Sequence, residues 1–253
     1  MTRTAVITGG AGGLGRALAT GLQAQGWFTA LVDLRGQMRD ADTPQQAFYG
    51  CDLTDRTQLA SVAAQICTDR PSVDLVIYNA GVTQIAPFAS ADMDAHRRVF
   101  EINYFAAVAC AQEFLLPVRQ AKGTHLAISS VAGFAPLTNR TSYCASKHAL
   151  EGFFKTLRSE EREFGVHTAI AAPSFVATNT DNAETDASGI SRPGSATDGV
   201  DYMSPEDAAG VILAGLQKRR DFVPVGRVAQ LASLANRLSP RFYQARMERT
   251  IQD

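Results

Sequence analysis

A chain that reads TAVITGGAGGLGRALATGLQAQG over residues 4–26 has few folds open to it. Thr4 to Thr8 is a short β-rich segment, residues 9–15 are dominated by glycine, and from Arg16 the apolar residues recur at helical spacing until Gly26. Strand, glycine turn and helix in that order make one unit of a parallel α/β sheet. The helix then begins at the carboxyl end of the strand, where its unpaired N–H groups favour a negatively charged ligand. Gly9 supplies a tight turn, Gly13 lets the backbone approach a pyrophosphate, and Gly15 lets the helix pack close to the sheet, with Leu14 between them.

The next apolar run, Phe28 to Asp33, ends in an acid about 20 residues past the glycine turn, where a carboxylate accepts hydrogen bonds from an adenosine ribose. The same carboxylate repels a 2′-phosphate: at ~4 Å and an effective dielectric of ~20, each phosphate charge costs roughly 4 kcal/mol. The expected cofactor is therefore NAD rather than NADP, with Arg35 as the nearby cation that works against this. Further strands are expected at 48–51, 73–78, 123–129, 166–171 and 222–225. Helices are expected at 55–68, 92–119, 142–164 and 205–218, the last capped by Ser204 with Pro205 in its first turn. The run VDLVIY at 73–78 is almost wholly apolar, as suits a strand buried on both faces. Asp52 and Leu53 follow the third strand, and Asn79-Ala80-Gly81 the fourth. Asn103 falls inside a helical region, where asparagine is a poor fit.

Residues 130–147, SVAGFAPLTNRTSYCASK, carry the chemistry. The apolar run from His125 to Ser129 places Ser130 at the carboxyl end of a strand, the edge at which open α/β sheets bind ligands. If Tyr143 opens a helix, Lys147 lies one turn further on the same face. A free tyrosine, with a pKa near ~10, is a poor base at neutral pH. An ammonium at ~5 Å, at an effective dielectric of ~20, favours the phenolate by roughly 3 kcal/mol. Tyr143 then exchanges a proton with an alcohol, while Ser130 holds the substrate oxygen.

At 253 residues with 45% hydrophobic content, the chain has material for a sizeable core. A net charge of −1 excludes a global nucleic-acid footprint. Cys51, Cys67, Cys110 and Cys144 are far apart, form no metal-ligand cluster, and read as free thiols of a reducing compartment. The opening residues read as strand and glycine turn rather than signal peptide, and no apolar run reaches transmembrane length, so the expected location is the cytoplasm.

Residues 180–203 are polar, with glycines and acids (Asp181, Glu184, Asp186, Asp198, Asp201), and read as a substrate loop or lid. Residues 226–253 form an arginine-rich tail (Arg227, Arg237, Arg241, Arg246, Arg249), with apolar residues at helical spacing around Leu231, Leu234, Leu238, Phe242 and Met247. That tail has three places to pack: on the core, on a sister subunit, or over the substrate mouth. Its composition also suits a membrane surface.

Taken together, TGGAGGLG at 8–15, Asp33, CDLTD at 51–55, NAG at 79–81, Asn103, Ser130, Tyr143 with Lys147, and PSFVAT at 173–178 resemble the short-chain dehydrogenase/reductase family in its single-domain, non-extended branch. The resemblance runs from residue 4 to about 225. It implies a doubly wound Rossmann fold, a parallel seven-stranded sheet with helices on both faces, over residues 1–253. It implies that Tyr143 is the general acid/base, that Ser130 stabilises the substrate oxygen, and that Lys147 lowers the tyrosine pKa and binds the nicotinamide ribose. Asn103 would hold a relay water, its backbone opening the helix locally. Gly9, Gly13, Leu14 and Gly15 would meet the pyrophosphate, Asp52 and Leu53 the adenine, and Asn79 and Gly81 the cofactor floor. Pro173, Val176 and Thr178 would border the carboxamide. Ser174 stands where the family usually has glycine. The family's usual ending, often part of a tetramer interface, is replaced by the arginine-rich tail, so homodimer and homotetramer are both acceptable.

The expected reaction is hydride exchange between nicotinamide and a secondary alcohol or ketone. The pocket is expected from residues 82–88, 131–139 and 174–202, with Phe88, Phe134, Leu137 and Phe175 favouring a hydrophobic or cyclic skeleton. The alternatives are a small polar hydroxy compound held by Thr83, Gln84 or Asn139, and a non-catalytic NAD-binding protein of the same fold.

Overall fold

The computed structural model describes residues 2–37, 42–179, 186, 188–194, 202–241, 243 and 244. Its strands are β1 (Thr4–Thr8), β2 (Phe28–Asp33), β3 (Gln46–Gly50), β4 (Leu75–Tyr78), β5 (Thr83–Gln84), β6 (Thr124–Ile128), β7 (His167–Pro173), β8 (Ile190–Ser191) and β9 (Phe222–Val225). The α-helices are α1 (Gly13–Gln23), α2 (Arg56–Asp69), α3 (Met93–Phe100), α4 (Ala106–Glu113), α5 (Leu115–Ala121), α6 (Thr141–Glu161), α7 (Pro205–Gln217) and α8 (Arg227–Leu238). Seven strands pair in parallel in the order β3-β2-β1-β4-β6-β7-β9. The order reverses at β1, which pairs with β2 on one side and β4 on the other, and a crevice opens beyond such a reversal.

Both faces of the sheet are covered. Successive side chains of a strand point to opposite faces. Val6, Val76 and Ala127 therefore meet Leu59, Phe114 and Phe154 on one side. Ile7, Ile77 and Leu126 meet Leu18, Leu22 and Ile212 on the other. Helix starts are set by side chains: Asp55 accepts from the N–H groups of Thr57 (2.9 Å) and Gln58 (3.1 Å), and Ser204 from that of Asp207 (3.0 Å).

The helix expected over 92–119 is divided. Residues 101–105 form a π-turn around Asn103, between α3 and α4. A bend of 57° at Phe114 then separates α4 from α5. Pro117 explains the bend, because its ring cannot coexist with a helical carbonyl four residues earlier, at Glu113. This bent pair has the length and composition of a broken membrane span, but Cys110, Phe114 and Val118 are buried in the protein core. No single helix among the described residues is long and apolar enough to cross a membrane.

A two-stranded antiparallel ribbon was not foreseen. Strand β8 lies inside the expected loop and pairs with β5, Thr83 opposite Ser191 and Gln84 opposite Ile190. The acids Asp181, Glu184, Asp198 and Asp201 lie outside the described residues, as do Phe242, Arg246, Met247 and Arg249. Asp186 is paired with Arg98 at 3.0 Å.

One buried group sets a pH limit on the fold. His125 of β6 is fully buried, with its Nδ1 2.6 Å from the Tyr78 hydroxyl and its Nε2 without a partner among the described residues. Burial pushes its pKa down from 6.5 to about 4. The unfolded chain then binds the extra proton first, so stability present above pH 6.5 is lost as pH falls toward 4. The expected loss is on the order of 3 kcal/mol. Urea unfolding across that range should show it, and the variant His125→Leu/Tyr78→Phe, which orphans no hydroxyl, should lack that component.

Candidate active site

A cavity of about 740 Å³ opens at the carboxyl ends of the central strands. Its first wall is the turn from β1 into α1, including Gly9, Gly13 and Leu14. Gly12 caps α1 with no side-chain acceptor, and the first turn holds no acid. The N–H groups that every helix leaves unpaired at its start are thus left for a ligand. A Cβ on Gly13 would lie 3.0 Å from the Thr178 carbonyl oxygen, and one on Gly9 (φ +64) 2.9 Å from the Ala80 Cα. These glycines make the close-fitting cradle that a dinucleotide diphosphate requires. Gly15 lies behind this wall, where a side chain would strike the Gly9 carbonyl.

Asp33, Asp52 and Leu53 line the next part. The Asp33 carboxylate accepts from the N–H of Ala11 (2.9 Å) and of Leu34 (2.8 Å), which hold it at the end of β2. Arg35 is turned away from the cavity wall: its side chain covers Gly50, whose Cβ position is 3.0 Å from the guanidine Nε. Asn79 stitches β4 to β1, donating from Nδ2 to the carbonyls of Thr8 (3.1 Å) and Gly9 (3.0 Å). Gly81 completes the floor, its Cβ position 3.1 Å from Asn103 Oδ1 and 3.6 Å from Lys147 Nζ.

Ser130, Tyr143 and Lys147 share the opposite wall with Pro173, Val176 and Thr178. Ser130 directly follows Ser129 at the end of β6, and its Oγ accepts from the Ala132 N–H at 3.2 Å. Tyr143 and Lys147 are both buried on α6, with Lys147 Nζ 5.9 Å from the Tyr143 ring centre and donating to the Ile128 carbonyl at 2.8 Å. Burial pushes the Lys147 pKa down from 10.5 to about 8, opposed by the charge of Glu151 one turn on. Glu151 itself accepts from Ser129 Oγ (2.8 Å) and Lys155 Nζ (2.7 Å).

Asn103 is not on the cavity wall but braces it. Its Oδ1 accepts from the Val82 N–H (2.8 Å), and its Nδ2 donates to the Val82 carbonyl (2.9 Å) and Ser146 Oγ (3.0 Å).

A buried ammonium costs stability wherever it is protonated. Folding lowers the Lys147 pKa, so the cost is present below pH 8 and is relieved as pH rises toward 10.5. Lys147→Met should therefore stabilise the cofactor-free protein at pH 7, by up to about 3 kcal/mol, while removing activity. Thermal and urea unfolding check this.

The substrate end of the pocket differs from expectation. Val82, Thr83, Leu137, Ser174 and Phe175 line it. Phe88 does not: it is 71% exposed, with its ring edge-on to His96. Phe134 instead packs on Phe222 and under α8. Gln84 and Asn139 are also off the wall. Gln84 pairs with Ser142, and the Asn139 carbonyl accepts from the Ala86 N–H (2.9 Å). Three arginines that sequence reasoning passed over, Arg98, Arg140 and Arg192, do line the cavity. Arg140 had a signal, since it stands three residues before Tyr143, and it donates to Thr83 Oγ1 at 3.0 Å.

The short chain dehydrogenase family model matches residues 3–189. The chain belongs to the short-chain dehydrogenase/reductase family. This short-chain dehydrogenase is similar to dehydrogenase/reductase SDR family member 7B of Bos taurus, 32% identical over an alignment of 254 positions that takes in 94% of this chain and 78% of the bovine protein. It is also similar to nodulation protein G of Rhizobium sp. (strain N33), 31% identical over 69% of this chain and 73% of that one. Among solved structures, a short chain dehydrogenase of Burkholderia cenocepacia J2315 in complex with NADP superposes with a TM-score of 0.84 at 22% identity, covering 97% of both chains. A short chain dehydrogenase/reductase of Burkholderia phymatum in complex with NAD gives 0.80 at 22% identity, covering 96% and 95%. The family makes this protein an NAD(P)-dependent oxidoreductase, built on the seven-stranded Rossmann sheet described above.

Proposed function

We propose that this single-domain chain is an NAD-dependent dehydrogenase or reductase that interconverts a secondary alcohol and a ketone on a hydrophobic or cyclic skeleton. The observation that carries the reading is one cavity with two chemistries: Asp33 and the glycine turn at one end, Ser130, Tyr143 and Lys147 at the other.

When bound, the nicotinamide supplies or accepts the hydride. The chain's own residues do the rest. Tyr143 moves the proton to or from the substrate oxygen, and Ser130 Oγ donates to that oxygen while charge develops on it. Lys147 holds positive charge beside the tyrosine and reaches the ribose hydroxyls. The side chain of Asn103 is held by Val82 and Ser146, and its backbone in the π-turn is the group that would hold a relay water. The Val176 carbonyl accepts from the Thr178 N–H (2.8 Å), which fixes the turn, and the Val176 N–H is the group that would meet a carboxamide.

NAD is favoured because Asp33 lies on the cavity wall and Arg35 does not. An apolar skeleton is favoured by Val82, Leu137 and Phe175. The second reading, a small polar hydroxy compound, draws support from Thr83 and Arg140 on the same wall. Initial rates of NADH formation with a panel of secondary alcohols decide between them. Apolar cyclic members should turn over about tenfold faster than small polar ones, by the ordinary worth of apolar contacts in a pocket; the opposite ranking would assign the second reading. The aromatic run Phe100, Tyr104, Phe105 and Phe153, with Phe105 half exposed, supports a homodimer. The four unpaired cysteines support a reducing, cytoplasmic setting.

A further inference from the structure

Helix α8 is packed inside out. Ala229, Ala232 and Asn236 face the protein: the two alanines are buried against Val131 and Ala135, and Asn236 donates to the Phe134 carbonyl. Leu231, Leu234 and Leu238 repeat the same three-then-four spacing two residues later. At about 100° per residue that is the opposite face of the helix. They are 68%, 58% and 74% exposed. A surface helix ordinarily buries its large apolar residues and exposes its small polar ones. Here the small residues make the contact with the active-site loop, and three leucines in a row face outward.

The charges around this stripe decide what covers it. Arg227, Arg237 and Arg241 are exposed, and residues 226–247 contain four arginines and no acid. A second copy packed antiparallel and centred on Leu234 would set Arg227 against Arg241 of the other chain, with no carboxylate in either segment to neutralise them. An anionic lipid surface meets both demands at once, taking the leucines into the acyl boundary and the guanidiniums among the headgroups.

We propose that the outer face of α8 is a docking surface for anionic membrane. The chain lies on the bilayer through this helix, with the loop that follows Ser130 directly behind it. The reading does not depend on which alcohol the enzyme uses.

Flotation of the full-length protein tests this with vesicles of phosphatidylcholine alone and of phosphatidylcholine with phosphatidylserine. The wild type should float with the phosphatidylserine vesicles and bind neutral ones about tenfold or more weakly. Leu231→Glu/Leu234→Glu should stay in the soluble fraction with both, at an unchanged thermal unfolding midpoint. Wild-type protein that stays soluble with both vesicle types would overturn the proposal. So would a dimer in size-exclusion chromatography that the same double variant splits, because the face would then belong to a second copy.

Discussion

Changing Asp33 to serine should shift the ratio of NADPH to NADH affinity by about a hundredfold or more toward NADPH. The argument is electrostatic. A carboxylate ~4 Å from a 2′-phosphate, at an effective dielectric of ~20, costs roughly 4 kcal/mol per phosphate charge. Asp33 is only partly buried, so solvent and salt reduce the figure, but about 3 kcal/mol still corresponds to a hundredfold. The carboxylate also accepts from Ala11 and Leu34, so serine loosens the turn for both cofactors alike. The ratio of affinities cancels that common loss. Titration against the fluorescence of the chain's single tryptophan, Trp27, measures it. The wild type should bind NADH more tightly. Tighter NADPH binding by the wild type would mean that Arg35 leaves Gly50 and overrides the acid.

Tyr143→Phe should lower kcat by about a hundredfold to ten-thousandfold, the usual worth of a positioned proton-transfer group. The change removes one oxygen and keeps a ring that is already buried, so the fold and the cavity shape should persist. NADH affinity should stay within about threefold of wild type, because the proposed reading assigns most of the cofactor's binding to the glycine turn and Asp33, which the substitution leaves untouched. Loss confined to kcat marks an interaction made in the transition state rather than in binding. A variant that retains most of its turnover would remove Tyr143 from the proton-transfer role.

Much of this was legible in the residues because the signals are local. The strand, glycine turn and helix at the start need only neighbouring residues, as do the caps Asp55 and Ser204. The spacing of Tyr143 and Lys147 placed them on one helical face without knowledge of the fold. What escaped depends on distant packing. The β5–β8 ribbon joins two-residue segments more than a hundred positions apart, too short for any periodicity to show. Phe88 and Phe134 share the composition of pocket residues, and only tertiary packing sends one to solvent and the other beneath α8. Spacing also says nothing about dielectric: Lys147 is buried deeply enough to bring its pKa to about 8, so it carries its charge less firmly than an exposed ammonium. The bend at Phe114 was readable in principle from Pro117, and was hidden by the strength of the apolar pattern around it.

The central claim is that this cavity exchanges hydride between a secondary alcohol and NAD, with Tyr143 moving the proton. Its most direct test uses a panel of secondary alcohols deuterated at the carbinol carbon, with NAD and either the wild type or Tyr143→Phe, and mass spectrometry of the cofactor recovered. Deuterium in the NADH formed by the wild type, transferred at a rate that falls by about a hundredfold or more with Tyr143→Phe, is the predicted result. Tight NADH binding with no label transferred from any member of the panel, or label transfer at close to the wild-type rate after the substitution, would contradict it.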